Sequence, residues 1–314
     1  MSGLTRRQFI QLAGAAAVGT VLFEPGCTPS PAPSTGRLAP AAPTGGQAYL
    51  AVARGSDPAA ITKAALSAVG GIERFVKSGN DVIIKPNICV DYHTAEYAAT
   101  TNPVVVGTLV ALCLGAGAKR VRVMDTPLGG TPDSAYAVSG IGEAVRAAGG
   151  IMEVMSPAKF AKAKIPQGKD LTEWDVYQDI LQADVLINVP IAKQHSLARL
   201  SLGCKNLLGT AATPNMIHRN LGQRIADLTS LIHPTLTVVD AVRILTAHGP
   251  TGGSLNDVKQ TNTVIVSHDI VSADAYAATL FNLTGADIAY VQAAADMGLG
   301  NLKLDSIKIS EINV

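Results

Sequence analysis

The chain has 314 residues, 47% of them hydrophobic and 16% charged, which is enough apolar material for one large core or two medium ones. Its formal net charge is +1 and only 4% of its residues are aromatic. It therefore lacks both the basic stripe and the stacking rings that nucleic-acid binders carry, and no nucleic-acid partner is expected.

Residues 1–46 read as address and tether rather than as fold. Thr5-Arg6-Arg7-Gln8-Phe9-Ile10 resembles the twin-arginine export motif, and a weakly apolar Ala/Gly-rich stretch follows to about Phe23. That stretch is short for a spanning helix, which needs about 20 apolar residues. Pro25-Gly26-Cys27 closes the signal region, 1–27, and a Pro/Ala/Ser/Thr-rich tether follows over 28–46, too poor in large apolar side chains to bury a core. A Gly-Cys pair before such a tether resembles a lipoprotein acylation site, yet Glu24 stands where those signals carry an apolar residue. Lipidation at Cys27 and plain cleavage both stay open. The expected location is the periplasm or the outer face of the cytoplasmic membrane, reached by the twin-arginine route, with membrane contact only through the signal or a lipid anchor at Cys27.

From Gln47 the chain alternates β-branched runs with Ala/Leu-rich segments, the pattern of βαβ units. Tyr49 to Ala53 reads as a strand. Asp57 then caps a helix opened by Pro58, and Asn102 with Pro103 repeats the device before a helix that Gly115 and Gly117 close. Leu197 to Leu202 is a strand of ambiguous register. Helices are expected over Arg219–Ile232, Ile270–Asn282 and Asp287–Ala295, and an edge strand over Ile307–Ile312, whose apolar residues alternate. Met155 to Tyr177 is the least readable stretch and is expected to be an inserted lobe covering the site. The predicted fold is thus one α/β domain over 47–314, undivided or in two lobes, with a mainly parallel sheet flanked by helices and a ligand crevice at the carboxyl ends of its strands.

Five strand-like runs finish on ionisable residues. Val82-Ile83-Ile84 ends in Lys85, Val121 to Met124 in Asp125, Leu236 to Val239 in Asp240, and Val264 to Val266 in His268 and Asp269. The run Val185 to Val189 passes through Pro190 to Lys193 and His195. If all five strands are parallel, these endings share one edge and one site. Lys85, Lys193 and Lys205 then form an anion clamp, since a lysine near a crevice turns outward or meets an anion. Asn87 and Asn206 either orient the ligand or cap turns. His195, between two lysines, is the candidate base, with Asp125 or Asp240 to orient it. A metal reading would use His195, His218, His268 and Asp269, but no ligand spacing supports it and no metal is favoured. The glycine runs Leu128–Thr131 and Gly249–Gly253 are either phosphate cradles or flexible turns, and match no P-loop. Of the cysteines, Cys89, Cys113 and Cys204 fit no disulfide framework or zinc spacing; Cys204 stands out because a neighbouring Lys205 ammonium would favour its thiolate.

Lys85-Pro86-Asn87, Thr101-Asn102-Pro103, Gly115-Ala116-Gly117-Ala118, Ile187-Asn188-Val189-Pro190 with Lys193 and His195, and Lys205-Asn206-Leu207-Leu208-Gly209 resemble, in order and spacing, the domain of unknown function 362 (DUF362) family. Asp240, Gly249-Pro250, Ala273-Asp274-Ala275 and Gly298-Leu299-Gly300 continue the likeness, which covers about 47–314. The resemblance implies the fold and a set of positions, but no substrate and no cofactor. Many members are associated with ferredoxin-like iron–sulfur modules; this chain has no Cys-x-x-Cys, so no iron–sulfur cluster is expected in it.

The residues together describe an exported protein that binds a small anionic ligand or cofactor, with acid–base chemistry on a phosphorylated or carboxylated substrate as the favoured activity. A non-catalytic solute- or cofactor-binding lipoprotein is the alternative, and a metal-dependent or redox accessory a second. Replacing Arg6 and Arg7 together by Lys is expected to hold the protein in the cytoplasm, read by cell fractionation. Cys27→Ala is expected to release a lipidated form from membranes; an unchanged soluble fraction would mean plain cleavage.

Overall fold

The computed structural model describes residues 47–314, so Arg6, Arg7, Cys27 and the tether lie outside the described residues. In chain order the elements are β1 (Leu50–Arg54), α1 (Pro58–Ala68), β2 (Asp81–Pro86), α2 (Pro103–Gly115), β3 (Arg120–Val123), α3 (Pro132–Val138), α4 (Ile141–Ala147) and β4 (Ile151–Met152). A small hairpin follows, β5 (Phe160–Lys164) and β6 (Glu173–Tyr177), then α5 (Gln178–Gln182), β7 (Val185–Val189), β8 (Ile191–His195), β9 (Arg199–Ser201) and α6 (Gly203–Asn206). The chain ends with α7 (Leu221–Ile232), β10 (Leu236–Leu245), β11 (Val258–Ser267), α8 (Ile270–Thr279), α9 (Ala289–Asp296) and β12 (Ile309–Asn313). The expected caps form: Asp57 accepts from Ala59 N at 2.8 Å, and Asn102 from Val104 N at 2.9 Å.

One sheet runs β12-β1-β11-β10-β7-β2-β3-β4, with β8 joined to β10 and β9 to β8. The pairs β2–β3, β2–β7, β3–β4, β7–β10, β8–β10 and β1–β12 are parallel; β11 runs against both its neighbours, and β9 against β8. Helices cover both faces. Val82, Ile84, Val121, Val123, Ile187 and Val238 pack beneath α1 to α4, whereas Ile83, Leu186, Val239 and Ile265 pack beneath α6 to α9. This is the α/β architecture expected of alternating βαβ units.

Two features of the sheet correct the expectation that five strand endings share one site. Because β11 is antiparallel, with Ser267 opposite Thr237 at the start of β10, His268 and Asp269 emerge at the opposite edge from Lys85 and Asp125. Asp269 is structural there: it caps α8 through Ser272 N at 2.9 Å and accepts from Tyr49 Oη at 2.6 Å and Asn301 N at 2.7 Å. The second feature is the pleat. Asp240 does not end its strand but lies inside β10, and alternation puts it on the α2 face with Val238 and Val242. Its carboxylate is committed, accepting from Asn102 N at 2.7 Å and Val242 N at 2.9 Å.

The 155–177 stretch is corrected as well. Its hairpin does not cover the crevice but braces the segment after α6: Trp174 Nε1 donates to Ala212 O at 2.7 Å, Ala212 N donates to Asp175 O at 2.9 Å, and Val176 bridges Ala211. The buried Asp227 of α7 holds the turn between β5 and β6 by accepting from the amides of Lys169, Asp170 and Leu171.

Removing the Asp240 carboxylate strands two buried amide donors. Asp240→Ala is therefore expected to cost about 2–4 kcal/mol in chemical denaturation, with ligand affinity of the remaining folded protein unchanged; a large loss of affinity at unaltered stability would return Asp240 to the site.

Candidate functional site

At the shared carboxyl edge, β2, β3 and β8 deliver polar side chains into one cavity of about 330 Å³, closed on its outer side by the segment after α6. Lys85 and Asn87, two residues apart at the end of β2, lie on the same side of the chain, as do Lys193 and His195 on β8. Asp125 follows β3, and α6 contributes Lys205 and Asn206. Cys89, after β2, and His218, from the segment before α7, complete the titratable lining.

Lys85 and Lys193 are each only 1% exposed. Burial of this kind needs every donor used, and Lys85 meets that condition: its Nζ donates to Asp125 Oδ1 at 2.6 Å, Pro86 O at 2.9 Å and Asn206 Oδ1 at 3.1 Å. Asp125 is fixed in turn by Ile88 N, which donates to its Oδ2 at 2.6 Å. Burial pushes the lysine down and the carboxyl up, and each opposes the shift of the other by its charge. Gly209 lies against this pair: a Cβ there would collide with the Asp125 carboxylate and stand 2.8 Å from Lys85 Nζ.

Asparagines extend the pair into a network. Asn206 Oδ1 also accepts from Asn87 Nδ2 at 3.0 Å, and Asn206 Nδ2 donates to Asn188 Oδ1 at 2.8 Å. Asn188 Nδ2 reaches Gly203 O at 3.0 Å. Asn87 Oδ1 accepts from Lys193 Nζ at 2.9 Å, and that ammonium also donates to Ala99 O at 2.6 Å. Lys193 thus keeps one N–H of three.

His195 is oriented by backbone. Its Nδ1 accepts from Leu197 N at 3.0 Å and Ala198 N at 3.2 Å, which requires the neutral ring to carry its proton on Nε2. Burial first, then the charges of Lys205 and Lys193, lower its pKa to about 3. The expected general base is therefore corrected to a donor, because the ring's one basic lone pair is occupied. The same tautomer removes Nε2 as a metal ligand. Among the described residues no group of three or more His, Cys, Asp or Glu side chains is placed to hold a metal ion.

Lys205 differs from the other two lysines. It is half-buried, and among the described residues its Nζ makes no hydrogen bond or ion pair. Burial, and then the like charge of Lys193, bring its pKa down to about 8. His218 beside it is lowered by burial and by Lys205.

The domain of unknown function DUF362 matches residues 82–279, more than half of the chain and the span that carries Lys85 through α8. The chain belongs to the DUF362 family. A thylakoid-associated protein of Synechocystis sp. (strain ATCC 27184 / PCC 6803 / Kazusa), sll1697, is 24% identical over 251 residues, 74% of this chain and 73% of that one. The lactate racemase apoprotein from Thermoanaerobacterium thermosaccharolyticum superposes with a TM-score of 0.45 at 13% identity, over 70% of this chain and 54% of that one. A protein from Thermotoga maritima gives 0.43 at 14% identity, over 78% and 60%. This chain therefore spans less than two thirds of either solved structure.

In this DUF362 chain the cavity gathers Lys85, Asn87, Asp125, Lys193, His195, Lys205, Asn206 and His218, and leaves out Asp240, His268 and Asp269. Three residues given no site role in the sequence belong with the first group. Asn188 carries a legible signal, an amide inside the fully buried run Val185–Val189; Gly209 stands in a family motif and Cys89 among the cysteines, but their place in the cavity wall appears only in three dimensions. Four amides of the glycine runs are committed within the protein: Leu128 N and Gly129 N donate to Cys89 O, Gly249 N to Gln194 Oε1, and Gly252 N to His248 O. Cys204 is also corrected: burial and the adjacent Asp274 carboxylate hold its thiol well above the ordinary range, so Lys205 does not activate it.

Gly209→Ala is expected to cost about 1–3 kcal/mol by overpacking and to weaken ligand binding as well, because the Lys85–Asp125 pair must shift. Unchanged denaturation and binding curves would show that the wall yields.

Proposed function

We propose that this protein binds a small carboxylate or phosphate anion in the cavity at the carboxyl edge of its sheet. The observation that carries this reading is the ammonium of Lys205, unpaired among the described residues, in a cavity that these residues line with three lysines and a single carboxylate. Lys85 offsets Asp125, which leaves two formal positive charges on Lys193 and Lys205. A half-buried cation without a partner is costly, and an anion relieves that cost. The free N–H of Lys193, the Nε2–H of His195 and Lys205 are the donors for it. A cation in the same place would add to the surplus.

Lys205 is also the group best suited to move a proton near neutrality, so the acid–base role expected of His195 and Asp125 passes to it. An enzyme acting on the bound anion is favoured on that ground; a binding protein needs only the donors. As to place, we read the chain as exported by the twin-arginine route and held at a membrane surface through its first 46 residues, a reading supported by the relative named thylakoid-associated. Among the described residues no helix is long and apolar enough to cross a membrane.

Sulfate, phosphate or a short carboxylate at a hundredfold excess over its dissociation constant is expected to stabilise the fold by about 2.7 kcal/mol in thermal shift, and Lys205→Met to abolish the response. Stabilisation by divalent metals alone, reversed by a chelator and lost in His195→Ala, would overturn the reading. The pH dependence follows from the lowered Lys205 pKa. Between about 8 and the ordinary 10.5 the unfolded chain binds the extra proton, so stability rises with pH. The ligand-free wild type should gain on Lys205→Met across that window. Affinity for sulfate, whose charge is constant there, should fall over the same range; an affinity flat through it would count against Lys205 as the anion's partner.

A further inference from the structure

The turn that carries Lys205 is held on both sides. Before it, the Asp274 carboxylate accepts from Gly203 N at 2.6 Å and Cys204 N at 2.9 Å. After it, the Asn206 side chain is tied to Lys85, Asn87 and Asn188. The amine of Lys205 is thus presented from a fixed backbone, with no acceptor among the described residues, into a cavity whose other walls include the apolar side chains of Ile88, Leu128 and Leu208. Two cations, Lys85 and Lys193, stand on the same cavity, and both are committed to the network by two or three hydrogen bonds. Of the three cavity lysines, Lys205 alone is left free to react by the described residues.

We infer that Lys205 is a nucleophile that forms an imine with the carbonyl of a small 2-oxo carboxylate. The inference rests on the anion-binding reading for the place of the acid group, which the remaining Lys193 N–H and the His195 Nε2–H hold while the neighbouring carbonyl carbon meets the Lys205 nitrogen. The amine adds to the carbonyl carbon, forming the C–N bond, and the carbinolamine loses its oxygen as water. Two of the three ammonium protons leave with that oxygen, and the third stays on the nitrogen. No oxidant, reductant or second substrate is needed. The protonated imine carries the same charge as the ammonium it replaces, so the pairing with the carboxylate persists. Lysines used in this way lie in desolvated pockets beside other cations, which raise the share of free amine; Lys205 has burial and Lys193 for this purpose, and its lowered pKa agrees. The iminium then draws electrons from the carbon next to it, the step that bond cleavage or proton loss at that carbon requires.

The experiment is reductive trapping of the folded chain. Wild-type protein is incubated with pyruvate or glyoxylate and cyanoborohydride, and the adduct is located by intact mass and peptide mapping. One ligand per chain on Lys205 is expected, reduced at least tenfold by excess sulfate. Lys205→Arg keeps the charge and should lose the adduct while still being stabilised by sulfate. Label spread over exposed lysines such as Lys162, or absent from Lys205 with both oxo acids, would overturn the inference. Sulfate stabilisation without an adduct would leave the anion site standing and remove the imine alone. An adduct on Lys205 that sulfate neither competes with nor stabilises against would support the nucleophile and sink the anion reading. Because the decisive arm uses wild-type protein, the result does not depend on a variant folding.

Discussion

Burying an ammonium or a carboxylate alone costs several kcal/mol, and burying the two together is tolerated only when geometry and hydrogen bonds are nearly complete. Lys85 and Asp125 meet that demand at 2.6 Å, at the point where β2 and β3 leave the sheet. The lysine has no donor left over and the carboxylate is pinned by backbone. Much of the cavity follows from this arrangement. Asn206 must sit where it can accept from Lys85, which sets α6 against β2, and Gly209 must have no side chain, which brings the next segment onto the pair. The pair contributes no net charge, so the field in the cavity is set by Lys193 and Lys205.

The asparagines divide the labour among the three lysines. Asn87 accepts from Lys193 and donates to Asn206, which accepts from Lys85, so two amides link and separate two cations that would otherwise repel at close range. Among the described residues, saturation of Lys85, partial saturation of Lys193 and the unpartnered state of Lys205 make a graded series across one cavity. His195 fits the same logic. With Nδ1 held by two amides it remains neutral and presents a fixed donor, and it adds no third charge to a site already in surplus.

Much of this architecture was legible in the sequence. Asp57-Pro58 and Asn102-Pro103 announced their helices because a cap and a proline act locally, within one turn. Lys85, Lys193 and Lys205 stood out because cations beside apolar runs are costly wherever the fold places them. What could not be read was relational. Nothing local distinguishes the antiparallel β11 from its parallel neighbours, so His268 looked equivalent to Lys85. An aspartate after the run Leu236–Val239 looked like a strand ending, yet β10 continues to Leu245 and its pleat carries Asp240 to the other face. The tautomer of His195 depends on two amides just beyond it, in a turn whose geometry the sequence pattern left ambiguous.

The hairpin of β5 and β6 stands apart from the main sheet, yet through Trp174, Asp175 and Val176 it grips the stretch that closes the cavity. The inner half of the chamber belongs to the sheet, and the part of its outer wall around Leu208 and Gly209 is held by an accessory clasp at Ala211 and Ala212. Changes in the clasp can therefore resize or reshape the chamber while the lysines keep their positions. Within a lineage built on this plan, what is held by its acid group and how bulky its remainder is would evolve as separate properties.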